Sequence, residues 1–137
     1  MFKNPEKRIF VVDDLPSMTE LISHVLSLQP GYRVDVSNDP VEALKAIEQE
    51  DIQTPDLVIS DRDMPSMTGE VFAERLQEIL GRRTPPVRVP ILVLSAFDMT
   101  QETEIWTRFR NAGAVANVRK PFSPARFLNV VNSLLSQ

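Results

Sequence analysis

The sequence predicts an α/β protein in which five strand–helix units wrap a parallel, doubly wound sheet. Three observations carry this prediction. Short continuous apolar runs occupy 9–12, 57–59 and 91–94, as in strands buried on both faces. Amphipathic stretches of helical period separate them, each opened or closed by a proline, a glycine or a capping side chain. The two element types alternate strictly, which demands right-handed crossovers, hence parallel strands with helices on both faces.

The elements follow in order. Arg8–Val12 forms the first strand and stops at Asp13-Asp14. Pro16 and Ser17 open a helix with Leu21, Val25 and Leu28 as its expected core face, closed by Pro30-Gly31. Tyr32–Val36 alternates apolar and polar residues, as a strand nearer a sheet edge does. Asn38-Asp39-Pro40 starts the second helix, whose expected core face is Val41, Leu44 and Ile47. After the 57–60 strand, Pro65 and Gly69 bound a tight loop, and Val71, Phe72, Leu76, Ile79 and Leu80 mark the third helix, with Gly81 at its end. Arg82–Pro90 holds three prolines and three arginines and reads as a solvated surface loop away from any site. Ile91–Leu94 is the fourth strand. Thr100–Asn111 is the fourth helix, with Ile105, Phe109 and Ala112 on one face and Trp106 beside it, packed on its neighbours. A fifth strand at 115–118 and a helix opened by Ser123-Pro124 complete the chain.

Composition narrows the function. The 137 residues suit one domain over 1–137, with no second domain expected. With no cysteine, disulfides, thiol nucleophiles and cysteine metal sites are excluded. A formal net charge of −4 argues against direct nucleic-acid binding. No apolar run approaches membrane-spanning length, and Met1–Pro5 lacks a signal-peptide core, so no membrane association and a cytoplasmic location are expected. The single histidine, His24, falls in a helical pattern and reads as a helix-surface residue.

A parallel sheet aligns its strand C-termini along one edge, where open α/β sheets place their chemistry. On that edge stand Asp13 and Asp14, Asp61, Ser95 and Lys120. Two carboxylates held about 5 Å apart repel by roughly 3 kcal/mol at an effective dielectric near 20. Such a cluster is tolerable mainly beside a cation, and an all-oxygen set without His or Cys selects a hard ion such as Mg²⁺ (or Mn²⁺). A metal there can offset an incoming phosphoryl group, leaving an Asp61 oxygen to attack phosphorus and form an acyl phosphate. Lys120 and Ser95 can donate to its oxygens. Viewed singly the residues are ordinary: Asp13-Asp14 could cap the next helix, Ser95 could cap the fourth, Asp63 could be a solvated loop residue. Their shared position at strand ends gives them joint meaning.

Val12-Asp13-Asp14, then Leu57–Asp61 with Met64-Pro65-Ser66-Met67-Thr68-Gly69, then Ser95-Ala96, then Lys120-Pro121-Phe122 closely resemble the response-regulator receiver domain over essentially the whole chain. The resemblance implies a flavodoxin-like (βα)5 fold with strand order 2-1-3-4-5. It implies a phosphorylation-activated signalling switch: Asp61 would be the phosphoacceptor for a histidine kinase or histidine phosphotransfer protein, altering the binding of an effector protein. Asp13, Asp14, Asp61 and the backbone carbonyl of Asp63 would hold Mg²⁺, Asp14 directly and Asp13 through water. Ser95 would be the signalling hydroxyl, Lys120 the phosphate-binding lysine, and Lys120–Pro121 a cis bond. Ser95, Ala96, Asn117 and Pro121 would form the switch region. A dimer through the fourth helix, fifth strand and fifth helix is a further implied partner. Only self-directed phosphotransfer and autodephosphorylation are expected as activity.

The pattern departs from the family at one place. Three residues before the lysine the family usually carries an aromatic switch residue; here Asn117 stands there, so the switch is expected to run through Ser95–Thr100 and the fourth helix. Asp63 and Phe97 occupy the variable positions beside the phosphate, where the first could orient water and the second could shield the acyl phosphate. Two rivals differ in class. A haloacid-dehalogenase-type phosphohydrolase would use Asp61-Arg62-Asp63 as nucleophile and acid, but that motif normally follows the first strand. A flavodoxin-like nucleotide binder would want a hydroxyl- or glycine-rich loop after the first strand, where Asp13-Asp14 has the wrong charge.

Overall fold

A computed structural model of the protein describes residues 6–101 and 103–136; the polar lead at 1–5, Glu102 and Gln137 lie outside the described residues. Five strands, β1 (Lys7–Val12), β2 (Tyr32–Ser37), β3 (Leu57–Asp61), β4 (Ile91–Ser95) and β5 (Ala114–Arg119), form one sheet of order β2-β1-β3-β4-β5. Every pairing is parallel. The helices are α1 (Pro16–Ser27), α2 (Pro40–Glu48), α3 (Gly69–Gly81), α4 (Thr103–Asn111) and α5 (Pro124–Leu135). This is the predicted flavodoxin-like (βα)5 architecture, with β2 at an edge as its alternating pattern implies.

Strand periodicity divides the core in two. Ile9, Val11, Leu57, Ile59, Leu92 and Leu94 pack with Ile22, Val25 and Leu26 of α1 and Phe127 and Val131 of α5. Phe10, Val12, Val58, Ile91 and Val93, one residue out of phase, pack with residues of α2, α3 and α4 on the other face. Central β3 and β4 are buried throughout, which requires their apolar composition. Phe122 stacks on Phe127 with ring centroids 4.9 Å apart, seating the start of α5.

Helix starts follow the predicted chemistry. Asp39 Oδ1 accepts from Val41 N–H at 2.7 Å, Thr68 caps α3, and Ser123 Oγ accepts from Arg126 N–H at 3.1 Å. Three expectations need correction. Leu21 and Leu28 of the α1 region are exposed, and the core face is Thr19, Ile22, Val25 and Leu26. Val41 is likewise exposed, with Ala43 inside in its place. A short 3-10 turn at Met99–Gln101 precedes α4, which begins only at Thr103. The 82–90 connection is a surface loop, as expected, with Arg82, Thr84, Pro85, Pro86 and Arg88 exposed, and it is anchored: Arg83 donates to Thr54 Oγ1 and to the Ile47 carbonyl, Val87 N–H donates to the Leu80 carbonyl, and Val89 is buried. Gln77 secures Val89, donating to its carbonyl at 2.7 Å and accepting from its N–H, while also donating to the Ala112 carbonyl at 3.0 Å. His24 is exposed and Trp106 half-buried against the core, as expected. Among the described residues no helix is long and apolar enough to cross a membrane.

Candidate active site

Sheet register assembles the site. Val12 of β1 is level with Ser60 of β3, so Asp13 comes level with Asp61, the last residue of β3. Asp61 is level with Leu94, which puts Ser95 one step further along β4. Ser95 is level with Arg119, so Lys120 follows one residue later on β5. A backbone hydrogen bond from Lys120 N–H to the Ser95 carbonyl, 2.7 Å, closes this edge.

Carboxylate oxygens of Asp13, Asp14 and Asp61 lie within 4.8 Å of one another. Asp13 and Asp61 are buried and Asp14 half-buried. Lys120 Nζ donates to Asp13 Oδ2 at 3.3 Å and to Asp61 Oδ1 at 3.1 Å. Burial, and next the Asp13 charge, push the Asp61 carboxyl above the ordinary aspartate range, against the pull of Lys120. Burial also works against the Lys120 ammonium, but Asp13 and Asp61 outweigh it and hold its pKa above the usual lysine value. Three carboxylates facing one ammonium leave an excess of negative charge, and the ligand atoms are all oxygen. Such a donor set fits a hard divalent cation. Asp63 is exposed, and its carboxylate is outside this group.

The strand ends that carry Asp13 and Asp61 are held by their surroundings. Asp13 Oδ1 accepts from Leu15 N–H at 3.0 Å, a turn at the entry to α1, whose N-cap Leu15 makes no side-chain cap bond, so the helix-capping alternative for Asp13 is not met. Asn38 Nδ2 donates to the Asp13 carbonyl at 2.9 Å and to Thr19 Oγ1 at 3.0 Å, fixing the backbone beneath that carboxylate. The sequence pattern marks Asn38 only as part of a helix start, and its contact with Asp13 depends on β1 and β2 being neighbours. Gly69 presses on the β3 exit: its N–H donates to the Arg62 carbonyl at 2.7 Å, and a Cβ there would meet the Asp61 carbonyl at 2.8 Å.

Ser95 is buried but does not cap α4. Its hydroxyl donates to the Phe97 carbonyl and accepts from Asn117 Nδ2 at 3.1 Å. Asn117 Nδ2 also donates to the Val93 carbonyl at 3.0 Å, and Oδ1 accepts from Met99 N–H at 2.9 Å. A register shift between Ile91 and Leu92 of β4 sets Asn117 level with Val93. Ala96 and Phe97 are exposed, Met99 is buried, and the Lys120–Pro121 bond is cis. The structure thus brings Lys120 into direct contact with Asp13 and Asp61, sets the Asp14 carboxylate within 4.8 Å of those two acids, and joins Ser95 to Asn117 alongside.

The response regulator receiver domain family model matches residues 9–132. A protein-glutamate methylesterase/protein-glutamine glutaminase of Syntrophus aciditrophicus is 33% identical over 120 residues, 87% of this chain and 31% of that protein. The response regulator MprA of Mycobacterium leprae is 33% identical over 128 residues, 93% of this chain and 50% of that protein. The chain therefore spans about a third to a half of the length of these relatives. The chemotaxis response regulator CheY4 of Vibrio cholerae superposes with a TM-score of 0.75 at 27% identity, covering 94% of this chain and 98% of that one.

Proposed function

The chain belongs to the response regulator receiver domain family, a phosphorylation-activated signalling switch, and we propose that Asp61 is the carboxylate that takes the phosphoryl group. One observation carries this assignment: of the two buried carboxylates that share Lys120, the only ammonium reaching the cluster among the described residues, Asp61 is the one that forms the last residue of a central strand. All five strands lie in one sheet, which supports reading 1–137 as a single receiver module.

Receiver domains bind Mg²⁺ at such an acidic cluster. In this chain Asp13, Asp14, Asp61 and the Asp63 backbone carbonyl would hold it, or Mn²⁺. When bound, the ion supplies positive charge that lets an anionic phosphoryl donor approach a carboxylate. The remaining work belongs to the chain. An Asp61 carboxylate oxygen attacks phosphorus of a phosphohistidine; the O–P bond forms, the P–N bond breaks, and the electron pair returns to the imidazole. Lys120 exchanges its Asp61 contact for a phosphoryl oxygen, and Asp13 continues to orient the ammonium. The Ser95 hydroxyl gives up the Phe97 carbonyl to donate to a second phosphoryl oxygen. Water attack on phosphorus later breaks the acyl-phosphate bond and restores the carboxylate, so the activity is self-directed.

The family implies a phosphodonor kinase and an effector as partners. We assign the donor as a histidine kinase or histidine phosphotransfer protein in the cytoplasm, and the α4–β5–α5 face, with Val115 and Arg119 exposed, as the effector or dimer surface. The phosphohydrolase reading needs Asp63 as acid beside Asp61, and Asp63 is exposed outside the cluster. Treating the protein and Asp61→Asn with acetyl phosphate and Mg²⁺, then measuring intact mass, tests the assignment. The expected result is a phosphoryl adduct on the native chain alone; equal adducts on both chains would remove Asp61 from the role.

A further inference from the structure

We propose that the Asn117 side chain is a latch: it holds the Ser95–Met99 loop in its resting arrangement, and it opens when the Ser95 hydroxyl turns to a phosphoryl group on Asp61. The inference rests on Asp61 being the phosphoacceptor, and it assigns a positioning role to a residue that touches no reacting atom.

Four hydrogen bonds form one connected network. Ser95 Oγ–H binds the Phe97 carbonyl and Asn117 Nδ2–H binds Ser95 Oγ, so one end of the loop is held. Asn117 Oδ1 receives Met99 N–H, so the far end is held as well, where the 3-10 turn leading to α4 begins. Asn117 is itself anchored on the Val93 carbonyl of a buried central strand. The amide therefore spends its two donors on β4 and Ser95 and its acceptor on the loop.

The chemistry of Ser95 makes the network two-state. A serine hydroxyl has one proton to donate, and here it is donated to the Phe97 carbonyl. Donation to a phosphoryl oxygen therefore requires release of that carbonyl. Withdrawal of Oγ also takes away the acceptor that orients Asn117 Nδ2. With both holds on Phe97 and Asn117 loosened, Met99 N–H depends on a weaker partner. A cavity of about 250 Å³ lined by Asp98, Asn117, Arg119 and Arg126 adjoins the latch and gives the loop room to move. Phe97 is already exposed, so its displacement uncovers no core, whereas buried Met99 carries the movement toward α4.

A latch that stabilises only the resting arrangement lowers apparent affinity for the ligand that opens it. Its removal must therefore tighten binding, which a merely structural residue would not do. The full chain and Asn117→Leu are titrated with beryllofluoride in Mg²⁺, following amide resonances beside Asp61 for binding and hydrogen exchange at Met99 N–H for the latch. In the native chain Met99 N–H is protected at the start and loses protection at saturation. In Asn117→Leu it is unprotected from the start, and half-saturation falls at an about five-fold lower beryllofluoride concentration, the ratio one net hydrogen bond carries. Equal or weaker binding by Asn117→Leu overturns the latch, and so does native Met99 protection that survives saturation. If Asn117→Leu fails to fold, the native exchange measurement decides alone. No shift beside Asp61 in the native chain would instead refute the phosphoacceptor assignment.

Discussion

Replacing Asp61 with asparagine is expected to stabilise the protein when no divalent cation is present. At 4.8 Å, the outer limit of the carboxylate separations, each of Asp13 and Asp14 repels an ionised Asp61 by about 3.5 kcal/mol at an effective dielectric near 20. Lys120, at 3.1 Å, returns about 5 kcal/mol on the same scale. The balance is about 2 kcal/mol against the ionised Asp61, to which its burial adds. Lys120 keeps Asp13 as a partner in the variant, so no buried ammonium is stranded. Urea unfolding in EDTA at pH 7 should therefore show Asp61→Asn more stable by about 2 kcal/mol. The sign with pH follows from the raised Asp61 pKa: the native state takes up a proton before the unfolded chain does. Native-chain stability thus gains, relative to the variant, as pH falls from the raised native pKa, and the gap closes below the unfolded value. Mg²⁺ at a hundred-fold over its Kd adds about 2.7 kcal/mol to the native chain, enough to erase the gap. An Asp61→Asn protein less stable than the native chain in EDTA at pH 7 would refute the electrostatic account of the cluster.

Three further outcomes are expected. Gly69→Ala places a Cβ against the Asp61 carbonyl and the Arg62 Cα, backbone that cannot swing aside; a loss of about 1–3 kcal/mol in urea unfolding, with weaker beryllofluoride binding, is expected despite alanine's better helix propensity. Gln77→Ala orphans the Val89 N–H and carbonyl and the Ala112 carbonyl, and should cost about 2–3 kcal/mol while leaving beryllofluoride half-saturation unchanged. Arg108→Ala removes a bidentate but exposed pair with Glu74; the small stability loss at neutral pH should disappear at high salt. Glu74 is held below the ordinary glutamate range, chiefly by its hydrogen bond from Arg108. Its contribution should also fade as pH falls through that lowered value.

The strands were legible because burial on both faces leaves no choice of residue, as at Leu57–Ile59 and Ile91–Leu94. The acidic edge was legible for the same reason: once β1 and β3 are adjacent, Asp13 and Asp61 must meet. The inner face of α1 was not. Met18, Leu21, Ile22, Val25, Leu26 and Leu28 form an apolar stripe wider than the buried one, and only packing on Leu57 and Ile59 selects Ile22 and Leu26 over Leu21 and Leu28. The 3-10 turn before α4 was hidden because Met99 is drawn inward by tertiary contacts that local propensity does not encode. Asn117 showed only what it lacks, an aromatic ring; what its amide binds depends on the register shift in β4–β5 and on a backbone N–H eighteen residues away.

That register shift also governs which errors the molecule can absorb. Ser95 and Asn117 share the α4 side of the sheet because β5 slips by a residue beside Ile91 and Leu92 and is then regular to Ser95 and Arg119. Above the slip, every functional group is counted off in alternate steps from a strand ladder. One residue added within 92–94 would turn the Ser95 side chain to the α1 and α5 side, away from its amide partner, while leaving the strand just as apolar. Length can therefore vary before the strands begin, but within them position along the chain and side of the sheet are the same variable.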